Sequence, residues 1–270
     1  MQNPADFSKY NPNTLYQTQH FLRKYQDALK WNENENVLEV GCASGTITTQ
    51  VLYPYLKEKK INNLLAVDIS AAAIEVAKAT NNNSKILFDE MNFGDLNQGD
   101  LYKERFDKIF AFYCFHLVKP AEVWPKNAYK MLKTGGQVFG IVVNSPNFFT
   151  DVMNDQIADK SAPWNSHIQN RPNPLNFVGS NPVHEITNIL SEAGFTVDLI
   201  AREDATSSFK EKENIIKTVS SSSLLSQYVP PEMKEDYSAD FLRRIFDRLK
   251  IDENGYHYTV EVVCFIATKK

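Results

Sequence analysis

Three cysteines in 270 residues, Cys42, Cys114 and Cys264, are too few and too dispersed to build a disulfide framework, and they are odd in number. No C-x-x-C pair occurs and the five histidines show no metal-ligand spacing, so the sequence predicts no metal centre. Basic charge is not in surplus: 29 Lys and Arg stand against 33 Asp and Glu, for a net charge of −4 and a pI near 5.8. Nucleic-acid backbones are held by clustered Lys and Arg, so this balance argues against nucleic acid as the main partner. No apolar run reaches membrane-spanning length, and the opening Met-Gln-Asn-Pro-Ala-Asp has no signal-peptide core. Together these absences predict a reduced, cytoplasmic protein with no membrane partner. No Ser-His-Asp set stands in a strand–turn–helix context, and no internal repeat is present.

What the chain does have is 43% apolar residues over a length that can bury one sizeable core, or one core with a small cap. Its most informative stretch is Val37-Leu-Glu-Val-Gly-Cys-Ala-Ser-Gly45, followed by Leu64-Leu-Ala-Val-Asp68. Val37, Leu38 and Val40 suit a buried strand, while Gly41 and Gly45 let the backbone turn tightly against a ligand. Residues 46–57 have helical spacing, with Ile47, Val51, Leu52 and Leu56 on one side. A second apolar strand ends at Asp68, where a carboxylate can accept hydrogen bonds from both hydroxyls of a ribose. Strand, glycine loop, helix, strand, acid is the layout of a nucleoside-binding α/β site.

The spacing separates two nucleoside cofactors. A dinucleotide loop reads G-x-G-x-x-G, with the helix start facing a pyrophosphate. Here the pattern is Glu39-x-Gly41-x-Ala43-x-Gly45, which resembles motif I of class I S-adenosylmethionine-dependent methyltransferases, with Ala43 in place of the middle glycine. The next registers follow the same plan. Ser70 is the predicted N-cap of an alanine-rich helix over 71–79. Residues 85–93 read as a third strand, ending where this family places an acid or amide against the adenine amino group. Asn92 is the candidate there, with Asp89 and Asp95 as rivals. A fourth strand over 106–113 leads into Tyr113-Cys-Phe-His116. A helix over 122–132, closed by Lys133-Thr-Gly-Gly136, precedes a fifth strand over 137–144. Residues 182–193 read as a helix, 195–202 as a sixth strand, and 256–268 as a final strand with the alternation of an antiparallel edge partner.

Two insertions break this plan. Residues 145–180 are rich in Asn and Pro and hold Phe148, Phe149, Trp164 and Phe177. Residues 205–254 carry Phe209, Ile215, Ile216, Val219, Leu224, Leu225 and an amphipathic helix over 237–249. Unstructured runs of this length inside a compact domain are functional or partly helical. Their side chains are aromatic and aliphatic rather than a ring of Arg and Lys, which predicts an apolar pocket with few polar anchors.

The N-terminal Phe7-Ser-Lys-Tyr10 with Gln17 and Gln19, then Trp31, motif I, Phe112-Tyr-Cys-Phe-His-Leu117, Phe209 and Tyr228-Val-Pro-Pro231 make nearly the whole chain similar to arthropod juvenile hormone acid methyltransferases. It also resembles a broader set of small-molecule carboxyl methyltransferases, including the trans-aconitate type. The resemblance implies an α/β fold, a Rossmann-like class I methyltransferase with a seven-stranded sheet, an antiparallel last strand and a helical lid. It implies one domain over 1–270, with 1–31, 145–180 and 205–254 as lid and substrate-binding segments. The implied activity is S-adenosyl-L-methionine-dependent formation of the methyl ester of a small apolar carboxylic acid, such as farnesoic acid or its epoxide, by a monomer or homodimer.

Residue by residue, Glu39, Gly41, Cys42, Ala43 and Gly45 would pass the methionine moiety, Asp68 and Ile69 the ribose side, and Asn92 and Phe93 the adenine, with Tyr113 beside the sulfonium. Gln17 or Gln19 and His116 would hold the acceptor carboxylate, with Trp164 as a wall. Two positions depart from the family pattern: Ala43, and Leu117 where the family has Trp after the motif histidine. The alternatives are a methyltransferase for another small acid, or a non-catalytic protein that keeps the cofactor fold to bind a hydrophobic ligand.

Overall fold

The structure, a computed structural model, describes residues 12–177, 179, 181–220 and 222–270. The Phe7-Ser-Lys-Tyr10 stretch and the first part of the N-terminal lid segment lie outside them. Helix α1 (Pro12–Tyr25) leads into β1 (Asn36–Val40), then a π turn (Thr48–Leu52) continuing as α2 (Tyr53–Glu58). After it come β2 (Asn63–Asp68), α3 (Ala71–Thr80), β3 (Ile86–Glu90), α4 (Asn97–Leu101) and β4 (Phe106–Phe112). Next are α5 (Val123–Met131), β5 (Leu132–Val143), α6 (Phe148–Ala158), α7 (Asn165–Ile168) and α8 (Pro182–Glu192). The chain ends with β6 (Phe195–Phe209), α9 (Lys212–Ser220), α10 (Lys234–Phe246), β7 (Lys250–Asp252) and β8 (Gly255–Lys269).

The strands lie in the order β3-β2-β1-β4-β5-β8-β6, with β7 pairing only on β8. Strands β1 to β5 pair in parallel, and β8 runs antiparallel to both of its neighbours β5 and β6. Val37 and Leu38 are fully buried and Val40 nearly so, as a central parallel strand covered on both faces requires. The order reverses between β1 and β4, and in open sheets of this kind the ligand site forms at that crevice, beyond the carboxyl ends of the strands.

Local chemistry explains the flanking helices. The Ser70 hydroxyl accepts the Ala73 N–H at 3.3 Å and opens α3. The Asn147 side chain accepts from Phe149 and Thr150 N–H, and the Thr150 hydroxyl accepts the Asn147 N–H, a capping box that starts α6. In α10, Tyr237, Phe241 and Ile245 recur every four residues, and all three are buried.

Three expectations about the sheet change. The last strand is not at an edge. It inserts between β5 and β6, with Val262 to Ala267 fully buried, because its upper half is covered by both neighbours. The sixth strand does not stop at Arg202 but continues to Phe209, so the second insertion begins as strand. The same insertion contains the short β7, giving an eighth strand.

The long β6–β8 ribbon matters for the site. Pairing of β5 on β8 ends at Val143↔Val262, whereas β6 pairs on β8 from Phe195↔Lys269 through Phe209↔Tyr256. The ribbon therefore projects past the sheet by about 20 Å at ~3.3 Å per residue. Helix α1 leans on it: the Asn13 side-chain amide exchanges hydrogen bonds with the Ser208 N–H and carbonyl. Helices from the two insertions join each other above it. Gln156 on α6 donates to Asp240 on α10 at 3.1 Å, Arg244 pairs with Asp159 at 2.8 Å, and Arg248 pairs with Asp155. Tyr237, Phe241, Ile215, Val219 and Trp164 share one apolar cluster with the β1 and β4 side chains of that sheet face.

Candidate active site

The loop after β1 is pinned by backbone bonds to the next strand, the Gly41 and Cys42 N–H groups both donating to the Val67 carbonyl at 2.8 and 3.0 Å. Gly41 and Gly45 have φ of +79° and +78°, and a Cβ on Gly41 would stand 2.5 Å from Cys114. Both reasons require glycine there. Ala43 takes the same left-handed region, at φ +47°, and its N–H donates to Asp68 Oδ2 at 2.9 Å. The other Asp68 oxygen accepts the Ser70 N–H at 2.9 Å. The acid is thus oriented by two N–H donors, and each oxygen keeps a lone pair for a further hydroxyl.

Beside it Ile69 is 66% exposed, an apolar face left open next to the acid. Asn92 is exposed, and its side-chain oxygen accepts the Gly94 N–H at 3.0 Å. Phe93 is buried against Phe115, and its carbonyl accepts the Asn127 side-chain N–H at 2.9 Å, so its ring is not open to a ligand.

Glu39 is buried on β1, and its Oε2 has no hydrogen-bond partner among the described residues. Burial pushes its carboxyl up to about 7, opposed by the Thr48 hydroxyl and reinforced by the Asp68 charge. A buried carboxyl with an unused oxygen fits a cationic group of a ligand, such as the ammonium of S-adenosylmethionine.

A cavity of about 260 Å³ opens against this loop. It is lined by Leu15, Ile47, Phe112, Leu117, Val143, Phe149, Met153, Leu175, Leu224 and Val260. Its polar wall includes Gln17, Tyr113, His116, Asn147, Ser207 and Tyr258. None of the described residues lining it is charged.

Of the two candidate glutamines the cavity takes Gln17; Gln19 lies about 200° further round α1, off the cavity wall. The Gln17 Nε2 donates to the Thr206 carbonyl at 2.9 Å and to Ser207 Oγ at 3.2 Å, and its Oε1 accepts the Tyr113 hydroxyl at 3.2 Å. Tyr113 itself sits at φ +56°, a strained conformation for a bulky residue. Burial and this hydrogen bond hold it there.

His116 is buried, and its Nδ1 accepts the Val143 N–H at 3.2 Å. The neutral ring must then carry its proton on Nε2. Burial lowers its pKa to about 3, so it is a neutral donor at working pH. Cys42 also lines the cavity, its thiol pushed far up by burial and therefore not a nucleophile.

Trp164 is not on the cavity. It packs edge-on against Tyr237 at 5.7 Å, inside the core formed by the insertions. Ser207, Tyr258 and Met153 were missed as site residues. The period-two alternation of β8 places Tyr258 and Val260 on one face, but only the length of the ribbon brings that face over the site. Among the described residues no group of three His, Cys, Asp or Glu could hold a metal ion, and no helix is long and apolar enough to cross a membrane.

A reversed parallel sheet, a glycine loop on a strand-end acid and an apolar cavity at their junction define a class I S-adenosylmethionine-dependent methyltransferase. Residues 15–200 match the family model described as methyltransferase domain, and the chain belongs to that family. A juvenile hormone acid O-methyltransferase from Bombyx mori is 23% identical over 234 residues, covering 84% of this chain and 82% of the relative. Its counterpart from Drosophila melanogaster is 21% identical over 225 residues, covering 82% and 75%.

Two solved structures share the fold. The YcgJ protein from Bacillus subtilis has a TM-score of 0.61 at 15% identity, covering 93% of this chain and 98% of that one. A phosphoethanolamine N-methyltransferase from Haemonchus contortus, solved with phosphomonomethylethanolamine and S-adenosylhomocysteine, has a TM-score of 0.53 at 14% identity, covering 93% and 53%. The cofactor is S-adenosylmethionine. Glu39, the 41–45 loop, Asp68 and Ile69 are the residues that would hold it.

Proposed function

We propose that this chain forms the methyl ester of a small apolar carboxylic acid, with an isoprenoid acid such as farnesoic acid or its epoxide as the best candidate. The observation that carries this reading is the uncharged, largely apolar cavity against the cofactor loop, with a neutral His116 on its wall. Relatives named for methylation of juvenile hormone acid support it.

S-adenosylmethionine supplies, when bound, an electrophilic methyl group on a sulfonium. A carboxylate is ionised at neutral pH and needs no general base. The residues of the chain therefore have to hold the acceptor oxygen, keep water out and leave the anion without a competing cation. His116 Nε2–H is one neutral donor for the acceptor. The apolar wall from Phe149, Met153 and Leu224 receives the hydrocarbon chain and desolvates the pair. The three segments 12–31, 145–177 and 205–254 act as the cap over that cavity, in one methyltransferase domain. A carboxylate left without a cationic partner is the better nucleophile, which is the advantage of an uncharged site.

The test is product analysis with labelled methyl donor and a panel of farnesoic acid, juvenile hormone acid, a plain fatty acid and trans-aconitate. Base-labile methyl ester from the isoprenoid acids supports the proposal. Cofactor binding without ester from any of the four would remove it. A carrier of hydrophobic ligands would show that second pattern.

A further inference from the structure

We infer that Asn176, on the segment between α7 and α8, is a positioning residue for the methyl-transfer site, holding His116 at the cavity through three carbonyls of its turn. The inference rests on the role proposed above for His116 as a donor to the acceptor.

The turn that carries His116, residues 113–122 between β4 and α5, has no helix or strand of its own. Its carbonyls need donors from elsewhere. One residue about 60 positions further along the chain supplies them. The Asn176 N–H donates to the His116 carbonyl at 2.8 Å, and its side-chain Nδ2 donates to the Phe115 carbonyl at 3.0 Å and to the Val118 carbonyl. Backbone carbonyls only accept, so the amide cannot be reversed and both of its hydrogens are spent. Aspartate has the same shape with no hydrogen to give, so the site asks for an amide.

His116 is gripped from a second side. Its Nδ1 accepts the Val143 N–H at 3.2 Å. Two residues on, the Ser145 N–H donates at 2.8 Å to the carbonyl of Phe177, the neighbour of Asn176. His116, Val143, Ser145, Phe177 and Asn176 thus form a closed circuit that ties the turn after β4 to the end of β5. Lys119 adds a tie outside it, its ammonium donating to the Asn173 carbonyl at 2.7 Å. Leu117 and Leu175, the neighbours of the two clamped residues, line the cavity as His116 does, whereas Asn176 does not. Asn176 therefore acts through His116. Slackening the circuit would let the imidazole shift, and a misplacement of about 1 Å can cost about 100-fold in rate.

The experiment compares wild type with Asn176→Ala, Asn176→Leu, His116→Phe and the double variant Asn176→Ala/His116→Phe. It reads kcat and KM on the best acceptor of the acid panel, and calorimetric Kd of S-adenosylhomocysteine. It also reads long-range proton–nitrogen NMR of the His116 ring, assigned by its loss in His116→Phe. Both Asn176 variants should lose about 10- to 100-fold in kcat/KM with cofactor Kd within about twofold. Leucine fills the space of the amide without donating, so agreement of the two separates the lost bonds from a collapsed turn. In the His116→Phe background the Asn176→Ala change should cost less than about twofold, since there is no imidazole left to position. The wild-type ring should show one tautomer, protonated on Nε2, and Asn176→Ala a mixture of two. Full activity with an unchanged ring spectrum in the Asn176 variants would overturn the inference. Losses that multiply in the double variant, or equal losses in cofactor affinity, would overturn it too. A wild type that methylates no acid would remove the ester reading, and the ring spectra would still decide whether Asn176 holds His116.

Discussion

Replacing Glu39 with glutamine is expected to make the unliganded protein more stable at high pH while weakening its hold on the cofactor. Glu39 lies inside the sheet, its Oε2 has no partner among the described residues, and burial raises its carboxyl from 4.5 to about 7. In the unfolded chain the group ionises near 4.5, whereas the folded chain keeps its proton until about 7. Folding is therefore unaffected by this group below about pH 4.5 and is progressively disfavoured as pH rises to 7, where the loss is complete. At about 1.4 kcal/mol per tenfold change in proton affinity, the loss reaches about 3 kcal/mol. Glutamine is neutral throughout and escapes it. A gain of this size in a chain of 270 residues corresponds to about 6 °C in melting temperature. The assay is thermal unfolding of both proteins from pH 4.5 to 8.5, with and without S-adenosylhomocysteine. Without ligand the curves should coincide at pH 4.5 and separate above 6, with Glu39→Gln higher. With ligand the wild type should gain more than the variant, because only it can meet the ammonium with a charge. Parallel curves over the whole range without ligand would refute the reasoning.

Lys108 and Glu35 form a buried pair at 2.9 Å, each 2% exposed, with the ammonium 5.0 Å over the Trp31 ring. Lys108→Met leaves the carboxylate buried without a counter-charge and should lower stability by about 3–5 kcal/mol in denaturant titration. Ala43→Gly removes a left-handed alanine, a strain of about 1–2 kcal/mol, against the greater unfolded-state freedom of glycine. A net gain of about 0.5–1 kcal/mol is expected, with S-adenosylhomocysteine bound at least as tightly by calorimetry. His116 is buried neutral with a pKa near 3, below its unfolded value, so its contribution to stability is intact above about pH 6.5 and is lost as pH falls toward 3. His116→Asn should accordingly resist acid unfolding better than wild type over that window, while its methyl transfer at pH 7.5 falls.

Much of the fold was legible because its signals are local. Val37 to Val40 and Leu64 to Asp68 are short apolar runs with turn residues at one end, and the Ser70 hydroxyl caps a helix three residues away. The continuation of β6 was not legible, since Thr206 and Ser208 alternate with small or isolated apolar residues and resemble a loop as readily as an exposed ribbon. Strand β7 is three exposed residues, held by pairing on β8 rather than by any pattern of its own.

The same division runs through the site. The motif I loop and Asp68 are close in sequence and are tied by direct hydrogen bonds. The choice between Gln17 and Gln19 depends on which face α1 turns to β6, a long-range contact between residues 190 apart. Trp164 had the composition of a pocket wall, but its ring is taken by Tyr237. Tyr258 reads as one more aromatic in an alternating strand until the ribbon carries it over the cavity.

The most direct test of the central claim is the ratio of kcat/KM for farnesoic acid to that for trans-aconitate, measured on the wild-type protein with S-adenosylmethionine. A cavity lined by uncharged, mostly apolar residues predicts a ratio of 100 or more, since roughly two orders of magnitude follow from leaving two extra carboxylates without partners. A ratio near one, or a preference for the tricarboxylate, would contradict the account.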